Sequence, residues 1–335
     1  MNKILIFTDT WSPKIDGVVT SIINLKTILE SRGFEVVIIH PYLFFNVSLF
    51  FYPEFKFSLF IRKKILKIIK SEKPNYVHIA TEGPLGYVAR KICIKNKISF
   101  TTTYHTHLPL YTKKRVNFSQ HLTYSYLRWF HKKANKTFVC TQSLKDELEL
   151  HGFNNLEIVS LGVDSNFFKK NIQLNVGGLK SPVFAYLGRI AIEKNVEDFL
   201  KLKLSGTKLV IGDGPERLKL ESKYGNEALF VGYKKGQELV DCLSLCDVFV
   251  FPSVTETFGL VILEALACGL PVAAYNVMGP KDIVTNGVDG YLGDDLGASA
   301  IKCLNLSSDK CREKALQFTW EAYVDNFIKN NIRIR

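Results

Sequence analysis

The sequence predicts an α/β protein built from two doubly wound domains, each with a parallel sheet. Its 335 residues exceed what one compact core ordinarily holds, so two domains are expected. In both halves, short apolar segments rich in β-branched and aromatic residues alternate with helical segments, which is the pattern of βαβ units. Residues 166–182 are polar and contain the pair Gly177-Gly178, so they predict a linker. The first domain is therefore expected at 1–165 and the second at 183–318, with a last helix at 319–335 that packs back on the first domain.

The elements follow from this alternation. In the first domain, strands are predicted at Lys3–Phe7, Glu35–His40, Tyr76–Ala80, Ser99–Tyr104, Thr137–Cys140 and Leu156–Ser160. Helices are predicted between them at Val18–Arg32, Phe60–Ser71, Leu85–Asn96, Gln120–Lys133 and Leu144–His151. In the second domain, strands are predicted at Val183–Leu187, Lys208–Ile211, Leu229–Val231, Val248–Phe251, Val272–Tyr275 and Gly290–Leu292. Helices are predicted there at Pro215–Tyr224, Gln237–Leu245, Leu260–Cys268 and Trp320–Asn330.

The composition excludes several classes of protein. With 24 Phe and 14 Tyr the chain has too many aromatic residues for intrinsic disorder. The seven Cys are scattered, with no CxxC pair, so a reducing compartment is expected and no metal site is indicated. The chain opens directly into a strand, which argues against a signal peptide. The longest apolar stretch, residues 43–60, is interrupted by polar residues and is not expected to span a membrane.

The charge is unevenly distributed between the two halves. Residues 1–170 hold 25 Lys and Arg against 12 Asp and Glu, whereas residues 171–335 hold 19 against 20. A basic half beside a neutral half suggests that the first half faces an anionic partner, either a membrane leaflet or a nucleic acid. A general bias of the composition toward lysine is the alternative.

Ligands of doubly wound sheets bind beyond the carboxyl ends of the strands, so the loops after the strands are candidate sites. After the first strand, Gly17 begins a helix, where amides and the helix dipole favour a phosphate, although a plain turn explains it equally well. His105 and His107 leave the end of a buried strand without a third metal ligand. They are either satisfied core histidines or polar groups aimed into the cleft between the domains.

The second domain has two candidate loops, one with two cations and one rich in glycine. Arg189 ends a strand and Lys194 follows in the next loop, and such a pair suits a diphosphate, with a solvated pair as the alternative. The segment Gly212-Asp213-Gly214-Pro215 also follows a strand. Either a nucleotide edge or a tight turn with Pro at the first helical position would explain it.

The segment from Glu256 to Glu264 is the most specific signal. A strand ends at Phe251 and a helix begins near Gly259, so amides at the helix start can hold a phosphate. Glu264 lies between one and two turns along this helix, where its carboxylate can accept hydrogen bonds from two sugar hydroxyls. Glu256 lies in the loop and can face the cleft.

Together these residues resemble the retaining GT-B glycosyltransferases of family 4. The resemblance spans essentially the whole chain and rests on Glu256–Glu264, Gly188-Arg189 with Lys194, Gly212–Pro215, Gly162-Val163-Asp164 and the strand end at His105. It implies two Rossmann-like domains that face each other across a cleft and a nucleotide-sugar donor. It also implies catalysis without a bound metal, and the sequence has no Asp-x-Asp triplet to argue otherwise.

The resemblance implies roles for individual residues. Glu264 resembles the residue that binds the nucleotide ribose, and Glu256 the residue that contacts the donor sugar. The diphosphate and base contacts are expected from Gly17, Arg189, Lys194, Phe258, Gly259, Leu260, Val261, Gly232 and Tyr233. His105 resembles the histidine near the reacting end of the sugar, and it joins Glu256, Arg189 and Lys194 as the expected catalytic set. The acceptor side is expected at Asp16, Tyr104, His107 and Tyr111.

A narrower similarity is to bacterial diacylglycerol glycosyltransferases, and it rests on residues 81–86, 104–111 and 257–269. Sulfoquinovosyl-diacylglycerol synthases and glycolipid mannosyltransferases share parts of the pattern. It implies retaining transfer of glucose or glucuronate from a UDP-sugar to diacylglycerol. The alternative is transfer from GDP-mannose to a glycolipid or a soluble acceptor, and the sequence separates the two poorly.

A lipid acceptor agrees with the charge pattern. Aromatic residues between 42 and 60 precede a basic helix that contains Arg62, Lys63 and Lys64, which is the arrangement of a peripheral enzyme on an anionic membrane surface, here its cytoplasmic face. Core packing of these aromatics is the alternative. Trp129 and Phe130 are expected in the core. A nucleic-acid binder is disfavoured because no known binding motif occurs, and a non-catalytic scaffold because the expected site residues are all present.

Overall fold

The computed structural model describes residues 2–14, 16–44, 46–49, 52–58, 61–170 and 178–334, with residues 46–49, 52–58, 115 and 116 described by their backbone. The strands are β1 Asn2–Phe7, β2 Phe34–Ile39, β3 Asn46–Leu49, β4 Tyr52–Ser58, β5 Tyr76–Ile79, β6 Thr101–Thr103, β7 Lys136–Val139, β8 Leu156–Ile158, β9 Val183–Leu187, β10 Thr207–Ile211, β11 Ala228–Gly232, β12 Val248–Phe251, β13 Val272–Ala274 and β14 Gly290–Leu292. The helices are α1 Gly17–Ser31, α2 Ile61–Glu72, α3 Pro84–Lys95, α4 Leu108–Val116, α5 Gln120–His131, α6 Gln142–Leu150, α7 Val196–Leu200, α8 Arg217–Tyr224, α9 Gly236–Ser244, α10 Leu260–Ala267, α11 Pro280–Ile283, α12 Leu296–Cys303, α13 Ser308–Ala315 and α14 Trp320–Asn330.

The chain divides into two compact units. The first comprises Met1–Pro109, Ser119–Ser160 and Trp320–Arg335, and the second comprises Leu110–Phe118 and Leu161–Thr319. The sequence-based boundaries do not anticipate that Leu110–Phe118 belongs to the second unit. Part of the predicted linker, residues 171–177, lies outside the described residues.

The first unit holds a six-stranded parallel sheet in the order β2-β1-β5-β6-β7-β8. Strand β1 is apolar and buried because neighbouring strands flank it and helices cover the sheet. A separate antiparallel hairpin pairs β3 with β4. The last helix, α14, packs in this unit, where Asp325 pairs with Arg32, the residue that follows α1, at 2.5 Å and Phe327 contacts the ring of Phe138.

The second unit repeats the theme with the strand order β11-β10-β9-β12-β13-β14, again all parallel. This 3-2-1-4-5-6 order is that of a dinucleotide-binding sheet. Strand β9 is buried along its whole length, as a central parallel strand must be. The core of the second unit also contains Phe199, Val210 and Ala300.

The two sheets confirm the predicted fold class, and all twelve predicted strands occur within two residues of their predicted ends. The prediction missed the β3–β4 hairpin and helices α4, α7, α11, α12 and α13. Among the described residues, no helix combines the length and the apolar character needed to cross a bilayer.

Candidate active site

The order of strands in the second unit changes direction between β9 and β12, which lie side by side at the centre of the sheet. Ligands of doubly wound sheets bind beyond the strand ends at such a switch point. The loop after β9 carries Arg189 and Lys194, and the loop after β12 carries Glu256. The topology therefore brings the two most specific sequence segments to one place.

An ion pair joins these two loops. The Lys194 ammonium donates to the Glu256 carboxylate, and the Ser253 hydroxyl donates to the same oxygen at 3.3 Å. The Thr255 hydroxyl also donates to the backbone carbonyl of Glu193 at 3.0 Å, so a hydrogen bond joins the two loops in addition to the ion pair. A cation and a carboxylate are thus held together at the switch point.

Three glycines let the ends of β9, β10 and β11 lie against each other. The Gly188 amide donates to Ile211 at 3.0 Å, and the Gly212 amide donates to Gly232 at 2.9 Å. A Cβ at Gly212 would lie 1.9 Å from the Gly188 carbonyl oxygen, so no larger residue fits. The segment Gly212–Pro215 is therefore a close-packed turn, and the turn interpretation holds for its backbone.

Helix α10 begins at the switch point. Gly259 precedes it with φ of +99°, a left-handed conformation that favours glycine, and a Cβ there would lie 3.0 Å from the Ile262 side chain. Among the described residues no side chain caps this helix start. Its first amides and its dipole can therefore receive an anion. Leu260 and Val261, both half-buried, occupy the first turn as the sequence predicts.

Glu264 is half-buried on α10, and its burial raises the pKa of the carboxyl to about 7. Within the described part of the chain, no hydrogen bond or ion pair to this carboxylate is found. Tyr233, at the end of β11, is close enough for the charge of Glu264 to join burial in raising the pKa of the phenol. The expected ribose contact and the expected base contact are thus neighbours.

The structure shows how two residues predicted on the donor side, Phe258 and Arg189, are positioned. The Phe258 side chain is only 3% exposed and packs edge-on against Phe318, so this residue can meet a ligand through its backbone alone. Arg189 is exposed, and its carbonyl accepts a hydrogen bond from the buried Tyr186 hydroxyl at 2.8 Å. That bond fixes the backbone from which the guanidinium projects.

In the first unit, the corresponding switch point lies between β1 and β5. Asp9 follows β1 and accepts hydrogen bonds from the Leu85 amide at 2.7 Å, the Gly86 amide at 3.2 Å and the Thr81 hydroxyl at 2.8 Å. A Cβ at Gly83 would lie 2.5 Å from the Asp9 carboxyl carbon. Burial raises the pKa of Asp9 to about 6 despite these bonds.

Asp16, which is expected on the acceptor side, caps helix α1. Its carboxylate accepts from the Val19 amide at 2.9 Å and the Thr10 hydroxyl at 2.9 Å, and it pairs with Lys14 at 3.1 Å. Burial acts to raise the pKa of Asp16, but Lys14 and the hydrogen bonds outweigh burial and lower it. Gly17 is the exposed first residue of α1, and its contact with phosphate stays a prediction.

His105 follows β6 and is half-buried. Burial lowers the pKa of its imidazole to about 4, while the charges of Glu82 and Asp16 act in the opposite direction. The ring is therefore neutral near pH 7 and can donate one hydrogen bond and accept another. Glu82 in turn contacts the buried His131, with 3.2 Å between carboxylate and ring nitrogen.

The acceptor-side predictions for Tyr104 and His107 are corrected by burial. Tyr104 is 0% exposed, so its hydroxyl has no surface to offer an acceptor. His107 is 3% exposed, and its ring nitrogen lies 2.7 Å from the Glu147 carboxylate, which also accepts from Tyr124. Burial acts to raise the pKa of Glu147, but these two hydrogen bonds lower it. Tyr111 lies half-buried on α4.

Sequence reasoning missed Asp9 and Glu82 in the first unit and Ser253 in the second. Asp9 lies two residues after the end of the apolar strand β1, and a carboxylate at the carboxyl end of a strand is a recognisable signal of a candidate site. Glu82 lies within residues 81–86, a segment that carries the family similarity but assigns this carboxylate no role. Ser253 carried no distinctive signal, because its role depends on the turn that directs it toward Glu256.

Two family models match the chain. The model described as "Glycosyltransferase Family 4" matches residues 15–167, and that described as "Glycosyl transferases group 1" matches residues 168–315. The two matches adjoin each other and together span most of the chain.

Curated relatives match both units. A sulfoquinovosyl transferase of Arabidopsis thaliana is 31% identical over 302 residues, which span 81% of this chain and 59% of that protein. A GDP-mannose-dependent α-mannosyltransferase of Mycobacterium tuberculosis is 26% identical over 87% of this chain and 83% of its own length. An α-monoglucosyldiacylglycerol synthase of Acholeplasma laidlawii is 28% identical over 81% and 79%.

Solved structures share the fold. The sucrose-phosphate synthase of Thermosynechococcus elongatus has a TM-score of 0.80 at 19% identity and covers 98% of both chains. An Anabaena protein crystallised with UDP and glucose has a TM-score of 0.72 at 18% identity and covers 98% of this chain and 99% of its own.

Proposed function

The chain belongs to the GT-B glycosyltransferases of family 4, and from that premise we propose that it transfers a hexosyl group from a UDP-sugar to diacylglycerol with retention of configuration. Glucose and glucuronate are the favoured sugars. The reaction would take place at the surface of a membrane and form a glycolipid.

The contact between Lys194 and Glu256 across the switch point is the observation that carries this proposal. A diphosphate at the α10 start would lie beside the Lys194 ammonium, and a sugar attached to it would lie beside the Glu256 carboxylate. Glu264, which has no partner of its own among the described residues, would accept hydrogen bonds from ribose hydroxyls. One short stretch of surface thus offers a group for each part of a nucleotide sugar.

The proposed reaction breaks the bond between the anomeric carbon and the diphosphate oxygen. Negative charge grows on the departing diphosphate, and Arg189, Lys194 and the amides at the α10 start would stabilise it in the transition state. The acceptor hydroxyl oxygen forms the new bond on the same face of the sugar, and its proton passes to an oxygen of the leaving diphosphate. No metal ion is needed in this scheme, because the protein's own cations balance the charge.

His105 has a role that suits a neutral imidazole. A cation at this position would compete with the positive charge that develops on the sugar ring. A neutral ring can instead donate a hydrogen bond to a sugar hydroxyl. The burial that lowers the pKa of His105 therefore favours the form that the proposal needs.

The lipid acceptor is supported by the relatives. The Acholeplasma protein is named as a synthase of monoglucosyldiacylglycerol, and its match extends over 79% of its length. The Arabidopsis transferase is matched over only 59% of its length, so its sulfoquinovosyl donor is a weaker guide. Of these two relatives the Acholeplasma synthase is therefore the better guide, and it favours glucose over sulfoquinovose as the transferred sugar.

A second candidate is mannosyl transfer from GDP-mannose to a glycolipid or a soluble acceptor. The Mycobacterium mannosyltransferase is matched over 83% of its length, which is a longer share than for either other relative. The base would lie near Gly232 and Tyr233 and would be contacted largely by backbone, so the side chains named there would not distinguish uracil from guanine.

A donor and acceptor screen tests the proposal. The purified chain is incubated with UDP-glucose, UDP-glucuronate or GDP-mannose and with diacylglycerol or a monoglycosylated lipid, and products are identified by mass. Glu256→Gln should abolish product, whereas Glu313→Gln, a change at an exposed glutamate of α13, should not. The anomeric coupling constant of the product reports retention. Product only from GDP-mannose would replace the first candidate by the second.

A further inference from the structure

Helix α5 carries a row of exposed apolar side chains. Leu122, Tyr126 and Trp129 are 55%, 37% and 43% exposed and follow one another at helical spacing on one face. The Trp129 ring stacks on Tyr126 with 6.0 Å between centroids, and Tyr87 from α3 lies 5.8 Å from the same ring. These four residues are called the α5 surface. Contiguous apolar patches of this kind mark interaction sites more often than scattered single residues do.

This exposure corrects the expectation that Trp129 and Phe130 both lie in the core. Phe130 is 0% exposed and belongs to the core of the first unit. Trp129 is its neighbour in sequence, but successive residues of a helix point about 100° apart. The buried face of α5 runs through Tyr124, Leu127 and Phe130, and it leaves Trp129 outside.

The exposed ring is held in place. The guanidinium of the buried Arg90 lies 3.9 Å from the Trp129 ring and donates to the carbonyls of Trp129 and Phe130, each at 2.7 Å. The Tyr126 hydroxyl donates to the carbonyl of Glu82 at 2.6 Å. These contacts hold Trp129 and Tyr126 in place. The α5 surface adjoins the loop after β5, where the Glu82 carboxylate acts on the pKa of His105.

Basic residues predominate beside this surface, and its acidic neighbours, Asp9 and Glu82, are half-buried and hold hydrogen bonds within the fold. Between Glu82 and Asp146 the sequence contains twelve Lys and Arg and no Asp or Glu. Lys91, Lys132 and Lys133 are exposed, and Lys91 lies over the Tyr87 ring at 4.4 Å. These three lysines are called the basic rim, and their charge favours an anionic partner.

A groove opens beside Trp129. It has a volume of about 320 Å³, and Arg128, Lys132, Ser125 and Asn155 are among the residues that line it. Arg128 is held there by a 2.8 Å hydrogen bond to the His151 carbonyl. Two cations and two neutral polar groups next to an exposed indole suit a phosphodiester headgroup whose acyl chains lie alongside the aromatic row.

We propose that the α5 surface is the face on which this enzyme docks to an anionic lipid bilayer. The partner rests on the proposed function, which requires a lipid acceptor, whereas the surface itself is defined by the residues above. Trp129 and Leu122 enter the boundary between headgroups and acyl chains, as amphipathic aromatic and aliphatic residues do at membrane surfaces. Lys91, Lys132 and Lys133 bind lipid phosphates, and the loop at Glu82 is brought near the bilayer.

Vesicle binding without any donor sugar tests the surface independently of catalysis. The full chain should sediment with vesicles of phosphatidylcholine and phosphatidylglycerol and dissociate at high salt. Leu122→Ser and Trp129→Ser should each weaken partitioning by roughly fivefold to tenfold. Ile301→Ser is the matched control, because Ile301 is also 55% exposed on a helix but lies in the second unit.

A pair of charge variants tests the basic rim. Lys132→Gln with Lys133→Gln should weaken binding to anionic vesicles by roughly fivefold for each lysine. Lys169→Gln with Lys170→Gln removes an adjacent exposed pair in the second unit and should leave binding unchanged. Equal losses in both double variants would overturn the proposal, because binding would then depend on net charge alone.

Contact with lipid is read directly from fluorescence. Brominated phosphatidylcholine in the vesicles should quench tryptophan emission, and Trp129→Phe should remove the quenching while keeping most of the binding. Trp129→Phe retains an aromatic ring over Arg90 and so should fold normally. It therefore serves as the control if Trp129→Ser fails to fold. If the wild-type chain does not bind vesicles but self-associates through Trp129 in sedimentation equilibrium, the surface is a protein interface and the proposal is wrong.

Activity separates this inference from the proposed function. On dioctanoylglycerol dispersed without a bilayer, Leu122→Ser should turn over like the wild type. On long-chain diacylglycerol in anionic vesicles it should lose about as much activity as binding. If neither the wild type nor the variants glycosylate diacylglycerol while vesicle binding follows the pattern above, the proposed acceptor is wrong. The proposal that the α5 surface binds the bilayer would still hold.

Discussion

Replacing Glu264 with Gln should weaken donor binding and at the same time stabilise the free protein. The carboxyl is half-buried, and burial raises its pKa from 4.5 to about 7. In the unfolded chain the same group would ionise near its ordinary pKa. The folded state therefore binds this proton more tightly than the unfolded state does, and stability falls as pH rises from about 4.5 to about 7.

The magnitude follows from the size of the shift. A shift of one pKa unit corresponds to about 1.4 kcal/mol, so a rise from 4.5 to about 7 sets an upper limit of about 3.5 kcal/mol on the penalty above pH 7. Because the side chain keeps some contact with solvent, screening reduces this to about 1 to 2 kcal/mol. Glu264→Gln keeps the shape and removes the charge. It should raise the melting temperature at about pH 8 by about 2 to 4 °C for each kcal/mol regained.

Donor binding should respond in the opposite sense. If the ionised carboxylate accepts hydrogen bonds from ribose hydroxyls, affinity depends on the ionised fraction. With a pKa of about 7 that fraction falls about tenfold between about pH 8 and about pH 6. The dissociation constant of UDP-glucose should rise by the same factor. A UDP-sugar is preferable to UDP because its phosphates have no ionisation in this range.

Titration calorimetry with UDP-glucose at several pH values measures this effect, and differential scanning calorimetry measures the stability. The Glu264→Gln variant should bind the donor more weakly and show a flat pH profile. Glu238→Gln, at an exposed glutamate of α9, is the control and should leave both measurements as in the wild type. An equal pH slope in wild type and Glu264→Gln would refute the ribose assignment, and a lower melting temperature in the variant would refute the burial argument.

Four further outcomes are expected. Lys194→Ala should lower kcat by roughly a hundredfold or more while weakening UDP binding much less, because the ammonium acts mainly on the charge that develops in the transition state; equal effects on both would contradict this. His105→Ala should lower kcat about a hundredfold, and the wild-type pH–rate profile should show no histidine limb above about pH 5, because burial lowers this pKa to about 4. Gly259→Ala should destabilise the second unit by about 1 to 2 kcal/mol in thermal melting, since φ is +99° there, whereas Gly297→Ala within α12 should not. Transfer should continue in excess EDTA, and loss of activity that added magnesium restores would refute the metal-free scheme.

The strands and the main helices were predictable because their signals are local. Each buried strand is a short run of β-branched and aromatic residues, and helices such as α1 and α10 begin where a capping residue or a glycine stands. Helix α12 could have been found in the same way, because Asp295 caps it with a 2.9 Å bond to the Ala298 amide. The β3–β4 hairpin could not, since its strands lie in a long aromatic stretch without a turn signal.

The contact between Lys194 and Glu256 was predictable for a topological reason. Glu256 and Lys194 are far apart in sequence, but both follow strands whose carboxyl ends meet at one switch point. Which side chains turn inward could not be predicted, because that depends on packing around each loop. Tyr104 and His107 flank His105 within four residues, yet both are buried and His105 is only half-buried.

Burial alone does not mark a functional carboxylate, and Asp9 and Glu264 show why. Both lie near the switch point of their own sheet, and burial raises the pKa of each. Asp9 is surrounded by donors, with two amides and the Thr81 hydroxyl satisfying its oxygens, so its position is explained by the turn that it closes. Glu264 has no such partners among the described residues, and the fold gains nothing from its charge. A carboxylate that destabilises the ligand-free protein and keeps unused hydrogen-bonding capacity is what the proposed ribose contact requires, because the ribose hydroxyls would supply the missing donors.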